Sequence, residues 1–259
     1  MSGFSIDWLD LREPADFAAR DSGLLKTLVN HLPAHARIVD LGSGTGSTLR
    51  ALRGTSSVGY RWRLLDIDPL LLAEARHRHG ASPSLETLQT DLNEVDRLPL
   101  QDADLVSASA LFDLVSQDFV NRLCPRLAAH RLAFYAALNY DGQMRWDPGH
   151  PLDGAVTGAF NQDQRRDKGF GPALGPEATD ALRVALQQAG YQVDVAGSPW
   201  QLGPNQERLA RELFAGIAAA VKGALGEAAV NDWLDFRLSH AGSGHCIVGH
   251  QDILALPVS

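Results

Sequence analysis

Apolar residues alternate between strand spacing and helix spacing along the first half of the chain. A helical pattern begins at the capping residue Ser22 and ends at Pro33, and further helical patterns occupy 70–79 and 117–129. Short apolar runs predict strands at 37–41, 60–66, 84–91, 104–109 and 132–138. Such alternation predicts right-handed βα crossovers and a mostly parallel sheet.

The second half of the chain changes character after Leu138. Residues 139–175 are rich in Gly, Pro, Asp and Asn and show no periodicity, which predicts a long irregular segment. Regular patterns then return as a helix between Pro176 and Gly190, a strand at 191–196, two helices within 203–243 and a strand at 246–254. We therefore predict an α/β fold with a doubly wound, mostly parallel seven-stranded sheet and helical or loop insertions after strands 5 and 6.

Composition limits the possible partners. Hydrophobic residues make up 45% and charged residues 21% of 259 residues, as in ordinary globular proteins, and the formal net charge is -8. That charge repels phosphate backbones and anionic bilayers, so we expect no nucleic-acid and no membrane partner. The first thirteen residues lack an apolar signal core, and no apolar stretch reaches membrane-spanning length. Cys124 and Cys246 show no metal-binding spacing, so we expect no metal and a reducing cytoplasm.

The most specific motif is the glycine-rich run between Val39 and Ser47, where the first predicted strand meets a helix. It reads VDLGSGTGS, with an acid, Asp40, two residues before the first glycine. Glycines at such a turn accept positive φ and let the backbone approach a ligand closely. The dinucleotide fingerprint GxGxxG/A would place its third glycine or alanine at Ser47, so the motif disfavours NAD.

This run resembles the first motif of the class I S-adenosylmethionine-dependent methyltransferases. The resemblance covers 39–138, and it implies a Rossmann-like methyltransferase fold with S-adenosylmethionine as the cofactor. Asp66 ends the second strand about 20 residues later, where the family's acid accepts the ribose hydroxyls. Asp91 matches the position that meets the adenine amine, and the run at 104–109 resembles the family's fourth-strand motif. The cofactor-binding residues implied in this way are Asp40, Gly42, Ser43, Gly44, Gly46, Asp66, Ile67, Asp91, Leu92 and Ser107.

Charge gives a physical reason for Asp40. The cofactor carries an ammonium and a sulfonium, so a carboxylate at the end of strand 1 attracts it, directly or through water. The site is expected between strands 1 and 4, where doubly wound strand order reverses. At the N-terminus, Arg20 follows a stretch that covers the cofactor in related enzymes, and it is a candidate partner for the methionine carboxylate. The alternative is a solvated helix face with Trp8 and Phe17 packed inward.

Two residues are candidates for catalysis. Methyl transfer is an in-line displacement that alignment alone can accelerate, so a general base is optional. Asp113 lies four residues past Ser109 and is predicted near the methyl group, although a capping or solvated acid fits equally well. His150 is the other titratable candidate, although a His-Pro turn is more often surface than catalytic.

The irregular segment offers candidates for acceptor binding. Asn139 and Tyr140 follow strand 5, and Arg165, Arg166 and Lys168 cluster within a protein of negative charge. Arginine offers a planar fork for carboxylate or phosphate, which suggests an anionic acceptor; the alternative is a solvated basic loop paired with Asp163 and Asp167.

These patterns predict a single domain over 1–259, with an N-terminal helical lid at 1–36, a cofactor-binding half at 37–138 and substrate-side insertions at 139–175 and 203–243. The predicted function is methyl transfer from S-adenosylmethionine to a small molecule. A cofactor-binding regulatory protein without turnover and an NAD-dependent enzyme are the alternatives. The sequence does not indicate the oligomeric state or the accepting atom.

Overall fold

The computed structural model describes residues 4–55, 59–80 and 84–258. Residues 1–3 of the predicted lid lie outside this range. The strands are β1 (Arg37–Leu41), β2 (Arg61–Asp66), β3 (Leu85–Gln89), β4 (Leu105–Ser109), β5 (Ala133–Asp147), β6 (Tyr191–Gly197), β7 (Trp200–Leu202) and β8 (His245–Pro257). The helices are α1 (Ile6–Ala19), α2 (Ser22–His31), α3 (Ser47–Thr55), α4 (Pro69–His79), α5 (Gln117–Ala129), α6 (Asp153–Gln164), α7 (Ala178–Gln188), α8 (Glu207–Leu225) and α9 (Glu227–His240).

The strands form one sheet in the order β3-β2-β1-β4-β5-β8-β6, with β7 beside β8. The pairs from β3 to β5 are parallel, and β8 runs antiparallel to its three neighbours. The predicted α/β fold with a mostly parallel sheet is confirmed. Within the described residues the sheet has eight strands rather than seven, because the short β7 adds to the end of β8.

Helix boundaries in the first half follow local rules. Asp68 caps α4 by accepting a hydrogen bond from the Leu70 backbone (2.9 Å), Pro69 occupies the first turn, and Gly80 ends the helix with a positive φ. α2 begins at Ser22 as predicted, but its cap is Asp21, whose carboxylate accepts from the Leu24 backbone (2.7 Å). Short polar side chains therefore determine where these helices start.

The predicted irregular segment at 139–175 is wrong over most of its length. β5 continues to Asp147, where it pairs with His245 of β8, and α6 follows. The apolar pattern is obscured because the register shifts twice, between Ala136 and Asn139 and between Tyr140 and Met144. These bulges reset which side chains face inward, so the simple alternation of a strand is lost.

Three hydrophobic clusters hold these elements together. One lies between the sheet and α5 and α7, and a second lies between the opposite sheet face and α2, α3 and α4. The third packs α6, α8 and α9 against the extended ends of β5 and β8, around the fully buried Trp233. α1 also contacts this third cluster through Trp8, which places the N-terminal helix beside the C-terminal helices.

The side chain of Asp252 on β8 connects separate parts of the fold. It is fully buried, and its carboxylate accepts hydrogen bonds from the Asp21 backbone (3.0 Å), the Tyr135 hydroxyl (3.0 Å) and the Leu138 backbone (2.9 Å). One carboxylate thereby joins β8, the start of α2 and the β5 bulge.

We expect Asp252→Asn to lower the free energy of unfolding by about 1 to 3 kcal/mol, because the amide turns a donor toward a group that also donates. Urea denaturation followed by circular dichroism measures this change. The control is Asp194→Asn on the exposed side of β6, which should change stability by less than about 0.5 kcal/mol. Equal stability of the two variants would contradict this role of Asp252.

Candidate active site at the carboxyl edge of the sheet

The turn after β1 is built on left-handed backbone. Gly42, Gly44 and Gly46 have φ values of 60°, 53° and 86°, which L side chains rarely adopt. A Cβ at Gly44 would lie 3.3 Å from Leu9 Cδ1, and one at Gly46 would lie 3.0 Å from His79 Nε2. The glycines are therefore needed for conformation and for close packing of α1 and α4 over the turn.

Asp66, at the end of β2, holds this turn in place. One carboxylate oxygen accepts from the Gly44 backbone (2.8 Å) and the other from the Asp68 backbone (2.9 Å). Burial raises the pKa of Asp66 above its ordinary value, and these backbone hydrogen bonds oppose the rise.

Arg50 on α3 connects the same turn to α1. Its guanidinium donates to the Thr45 carbonyl (2.5 Å) and to Thr45 Oγ1 (3.1 Å), and it forms a two-point ion pair with Glu13 of α1. Arg78 of α4 forms a second two-point pair with Asp10 (2.5 and 2.9 Å). These pairs hold α1 across the carboxyl ends of the strands.

A cavity of about 590 Å³, partly open to solvent, lies at this edge of the sheet. Its wall opposite α1 includes Gly169 and Phe170: the Gly169 carbonyl accepts from Asn93 Nδ2 (2.9 Å), and the Phe170 ring packs edge-on against Phe119 (5.6 Å between centroids). The lining residues are Phe4, Leu9, Arg12, Asp16, Asp40, Gly42, Ser43, Gly44, Thr45, Ser47, Thr48, Asp66, Ile67, Leu71, Asp91, Leu92, Asn93, Ser109, Ala110, Leu111, Leu114, Lys168, Gly169 and Phe170.

Asp40 is a buried carboxyl at the floor of this cavity. Ser107 Oγ donates to it (2.7 Å), so Ser107 lies behind Asp40 rather than on the lining. Burial raises the pKa of Asp40 to about 7, against the opposing effects of the Ser107 hydrogen bond and the charge of Arg20. The side chain therefore changes its charge near neutral pH.

Arg20 lies behind the two serines that line the cavity nearby. Its Nη2 donates to Ser109 Oγ (2.9 Å) and contacts Ser47 Oγ (3.5 Å), while the buried Nη1 has no hydrogen-bond partner within the described part of the chain. A buried guanidinium nitrogen without an acceptor is costly, so an anionic group arriving near these serines would be stabilised.

Most residues expected to bind a cofactor come together here. Eight of them line the cavity, and Gly46, Ser107 and Arg20 lie directly behind lining residues. The eight are Asp40, Gly42, Ser43, Gly44, Asp66, Ile67, Asp91 and Leu92. No ligand contact tests their individual roles, which stay predictions.

The two candidate catalytic residues lie in different parts of the structure. Asp113 lies in the loop after β4, between the lining residues Leu111 and Leu114. His150 instead lies beside α9, with Nε2 3.5 Å from an Asp232 carboxylate oxygen and its ring 4.9 Å from that of Phe236. The structure does not bring His150 to the cavity, because the β5 strand carries it away along the extended pair with β8.

The five candidate acceptor-binding residues also lie apart, and one of them, Lys168, is on the cavity lining. Lys168 lines the cavity, but the side chains of Arg165 and Arg166 are 45% and 72% exposed and do not line it. Asn139 is fully buried and donates to backbone carbonyls, and the Tyr140 hydroxyl donates to Asn161 (2.8 Å). Neither residue lines the cavity, and both pair with β8 between the two register shifts of β5.

The sequence predicted a lid at the N-terminus but assigned none of the α1 residues to the site. Leu9, Arg12 and Asp16 line the cavity from one face of this helix, and their spacing of three and four residues was the available indication. Asn93, two residues after Asp91, and Phe170, between two glycines, were also missed as lining residues. Phe170 lines the cavity because the segment after α6 folds back over the strand ends, where the Gly169 carbonyl accepts a hydrogen bond from Asn93.

Comparison with known proteins supports the same family. Residues 38–130 match the family model described as a methyltransferase domain. With the strand order and the glycine turn followed by Asp66, this match identifies residues 38–130 as a class I S-adenosylmethionine-dependent methyltransferase domain, whose cofactor is S-adenosylmethionine. No curated protein sequence matches the chain.

Solved structures share the fold over nearly the whole chain. A cyclopropane-fatty-acyl-phospholipid synthase-like protein from Lactobacillus casei is 15% identical, with 99% of this chain and 96% of that chain covered and a TM-score of 0.58. The cyclopropane synthase MmaA2 from Mycobacterium tuberculosis is 12% identical, with 97% and 94% covered and a TM-score of 0.55. A chain from the complex between the Haloferax volcanii Trm112 methyltransferase activator and a putative methyltransferase is 18% identical, with 98% and 97% covered and a TM-score of 0.52. At these identities the likeness establishes the fold alone.

The residues present fit this cofactor chemically. Asp40 offers a carboxylate to a cationic amino acid end, and Ser109, whose Oγ accepts from Arg20 behind it, offers a hydroxyl donor to its carboxylate. Asp66 supplies carboxylate oxygens for a diol, and Ile67 and Leu92 supply apolar surface.

Among the described residues, none of the helices combines the length and hydropathy needed to cross a bilayer. Nor do three or more His, Cys, Asp or Glu side chains group there as a metal site would require.

We expect the affinity for S-adenosylmethionine to rise by up to about tenfold between about pH 5.5 and pH 7.5, because Asp40 must lose its proton before it attracts the ammonium. Titration calorimetry in two buffers with different heats of ionisation should show proton release on binding. In the Asp40→Asn variant, which keeps Asp66, the affinity should change little with pH. An equally steep dependence in Asp40→Asn would assign the titration to another group.

Proposed function

We propose that this protein transfers the methyl group of S-adenosylmethionine to a small-molecule acceptor that enters the cavity at the carboxyl edge of the sheet. The observation that supports this proposal is that α1, the glycine turn and the segment around Gly169 together line a cavity of about 590 Å³ beside the end of β4. A cavity of this size holds small ligands, and its walls leave little room for a folded macromolecule.

The cofactor would be held at three points. Asp66 would accept the ribose hydroxyls, because its two oxygens accept from the Gly44 and Asp68 backbones and retain acceptor capacity. Asp40 would face the amino group, and Arg20 with Ser109 would face the carboxylate. Ile67 is 44% exposed at the lining, and together with Leu92 it would enclose the adenine ring beside Asp91.

When bound, the cofactor supplies an electrophilic methyl group on a sulfonium. The protein's own contribution is to align the acceptor with that methyl and to keep water out. Leu9, Leu111, Leu114 and Phe170 form the apolar part of the wall that would exclude water. This alignment requires no metal and no base for an acceptor that is already nucleophilic.

The sequence also suggests that the acceptor is anionic. Within the cavity such an acceptor would have to contact Lys168 or Arg12. These are the cationic side chains on the lining, and each already has a carboxylate partner: Asp163 for Lys168 (2.8 Å) and Asp16 for Arg12 (3.0 Å). Arg165 pairs with Glu177 (2.8 Å) at the surface and Arg166 with Asp163 (3.3 Å). The exposed arginines therefore give the anionic prediction no support.

We expect Asp66→Asn to weaken S-adenosylhomocysteine binding by about 1 to 3 kcal/mol, since one charged acceptor of the ribose becomes a donor. Titration calorimetry measures this change, with thermal melting as the test of folding. The matched control is Asp96→Asn, an exposed acid that pairs with Arg122 (2.7 Å). A folded Asp66→Asn protein with unchanged affinity would contradict the proposed cofactor site. Mass spectrometry of small molecules incubated with labelled S-adenosylmethionine then separates turnover from a regulatory protein that only binds.

Arg165→Ala and Arg166→Ala should each change kcat/KM for an identified acceptor by less than about twofold, because exposed ion pairs contribute under about 1 kcal/mol. Lys168→Met is the informative comparison in the same segment. A loss of about tenfold or more in Lys168→Met, confined to acceptors with a negative group, would support the anionic prediction. A similar loss in Arg165→Ala or Arg166→Ala would show that the segment moves inward when substrate binds.

A further inference from the structure

The chain between α6 and α7 returns over the carboxyl ends of the strands, and we call residues 165–175 the return segment. Its residues on the cavity lining are Lys168, Gly169 and Phe170. The end nearest α7 is held by two backbone hydrogen bonds, from Leu174 to the Val115 carbonyl (2.8 Å) and from Gly175 to the Asp113 carbonyl (2.9 Å). This end is therefore fixed to the loop between β4 and α5.

The tip of the return segment is held in a different way. Asp167 Oδ1 accepts from the Gly169 and Gly171 backbones (2.7 and 3.0 Å), and φ at Gly169 is 104°, which L side chains rarely adopt. A Cβ at Gly169 would meet nothing within 4 Å beyond its chain neighbours, so conformation rather than packing requires this glycine. In this turn the Gly169 carbonyl accepts from Asn93 Nδ2 (2.9 Å), which connects the tip to the cofactor half.

Asn93 also contacts Asp91. Asp91 Oδ1 accepts from the Asn93 backbone (2.9 Å) and from Asn93 Nδ2 (3.0 Å). The side-chain amide has two hydrogens, and they reach Asp91 on one side and the Gly169 carbonyl on the other. Arg122 of α5 donates to the Asn93 carbonyl (3.3 Å), which holds the backbone of this residue. Asn93 is therefore a bridge between Asp91 and the tip of the return segment.

The return segment reaches both ends of the cavity. Asp91 lies at the end where the adenine ring is proposed to bind. Lys168 is near enough to Asp113, in the loop after β4, to act on it electrostatically, and Phe170 belongs to the apolar wall proposed to exclude water. Gly169 stands between these two lining residues in the chain. A ligand that holds Asp91 therefore acts on the acceptor-side wall through the hydrogen bond at Gly169.

We propose that Asn93 is a positioning residue that couples cofactor binding to the acceptor-side wall of the cavity. This inference rests on the proposed function, because it takes Asp91 as the partner of the adenine amine. When that amine donates to Asp91, the carboxylate is held in one orientation. Its Oδ1 then holds the Asn93 amide, and the amide holds the Gly169 carbonyl. The lining residues on either side of Gly169 are thereby in place before the acceptor binds.

The strength of these contacts sets the size of the effect. Asp91, Asn93 and Gly169 are exposed, so the carboxylate of Asp91 rotates in water until a ligand holds it. A single hydrogen bond in such a place changes an equilibrium by about threefold to tenfold. The coupling is reciprocal, because each ligand changes the affinity for the other by the same factor. A contact of this strength still lets the segment open for substrate and product.

Hydrogen–deuterium exchange followed by mass spectrometry tests this coupling in the full-length protein, free and saturated with S-adenosylhomocysteine. In the wild type we expect the ligand to slow exchange by about threefold or more both in the glycine turn at 42–46 and in the return segment. In Asn93→Ala we expect the same slowing at 42–46 and none in the return segment. The affinity for S-adenosylhomocysteine should fall by no more than about tenfold, which saturating ligand overcomes.

Two further variants serve as controls. Asn121→Ala is the matched control, because Asn121 is an exposed asparagine on α5 whose side chain accepts from Gln117 Nε2 (3.0 Å). This variant should keep the slowing in both regions. Asn93→Ser is the second variant if Asn93→Ala melts at a lower temperature than the wild type, and it should give the result expected of Asn93→Ala.

The outcomes separate failure of this proposal from failure of the proposed function. Wild-type protein that does not bind S-adenosylhomocysteine contradicts the proposed function. Binding that slows exchange at 42–46 alone, or that slows the return segment equally in the wild type and in Asn93→Ala, overturns this proposal alone. A purely structural role of Asn93 predicts the second of these results, because exchange in the return segment would then rise equally in the free and the bound protein. Loss of the slowing in Asn121→Ala as well would also overturn the proposal.

Discussion

The left-handed turn after β1 is the constraint on which the rest of the site depends. Three glycines with positive φ let the backbone fold under α1, and Asp66 from the neighbouring strand holds the middle one by its backbone N–H. Arg50 binds the same turn through Thr45 and reaches α1 through Glu13. The turn thus determines both the floor of the cavity and the place of its cover.

Three buried acids around the cavity show how one physical effect is balanced in different ways. Burial raises the pKa of Asp40, Asp66 and Asp113. Asp66 is compensated by two backbone donors and Asp40 by the Ser107 hydroxyl, whereas Oδ1 of Asp113 has no partner in the described structure. In our proposal the cofactor's positive groups stabilise the ionised form of Asp40.

Local sequence determined the cofactor half of the molecule. β2 and β4 end at polar residues, and α2, α4 and α5 each start after a capping side chain, such as Asp68 for α4, so these elements can be read without their partners. Because the carboxyl ends of parallel strands meet at one edge, the positions of Asp40, Asp66 and Asp91 along the chain were enough to bring them together. The site's composition was therefore predictable there.

Only the tertiary structure decided the acceptor side. β5 continues as a strand because its partner is β8, a hundred residues later, and its bulges hide this in the sequence. The resulting extension carries His150 away from the cavity, while the segment after α6 returns Lys168 to it and leaves Arg166 in solvent. Lys168 and Arg166 are two residues apart, yet the first lines the cavity and the second is exposed. Long-range strand pairing, rather than residue type, determines which side chains face the cavity.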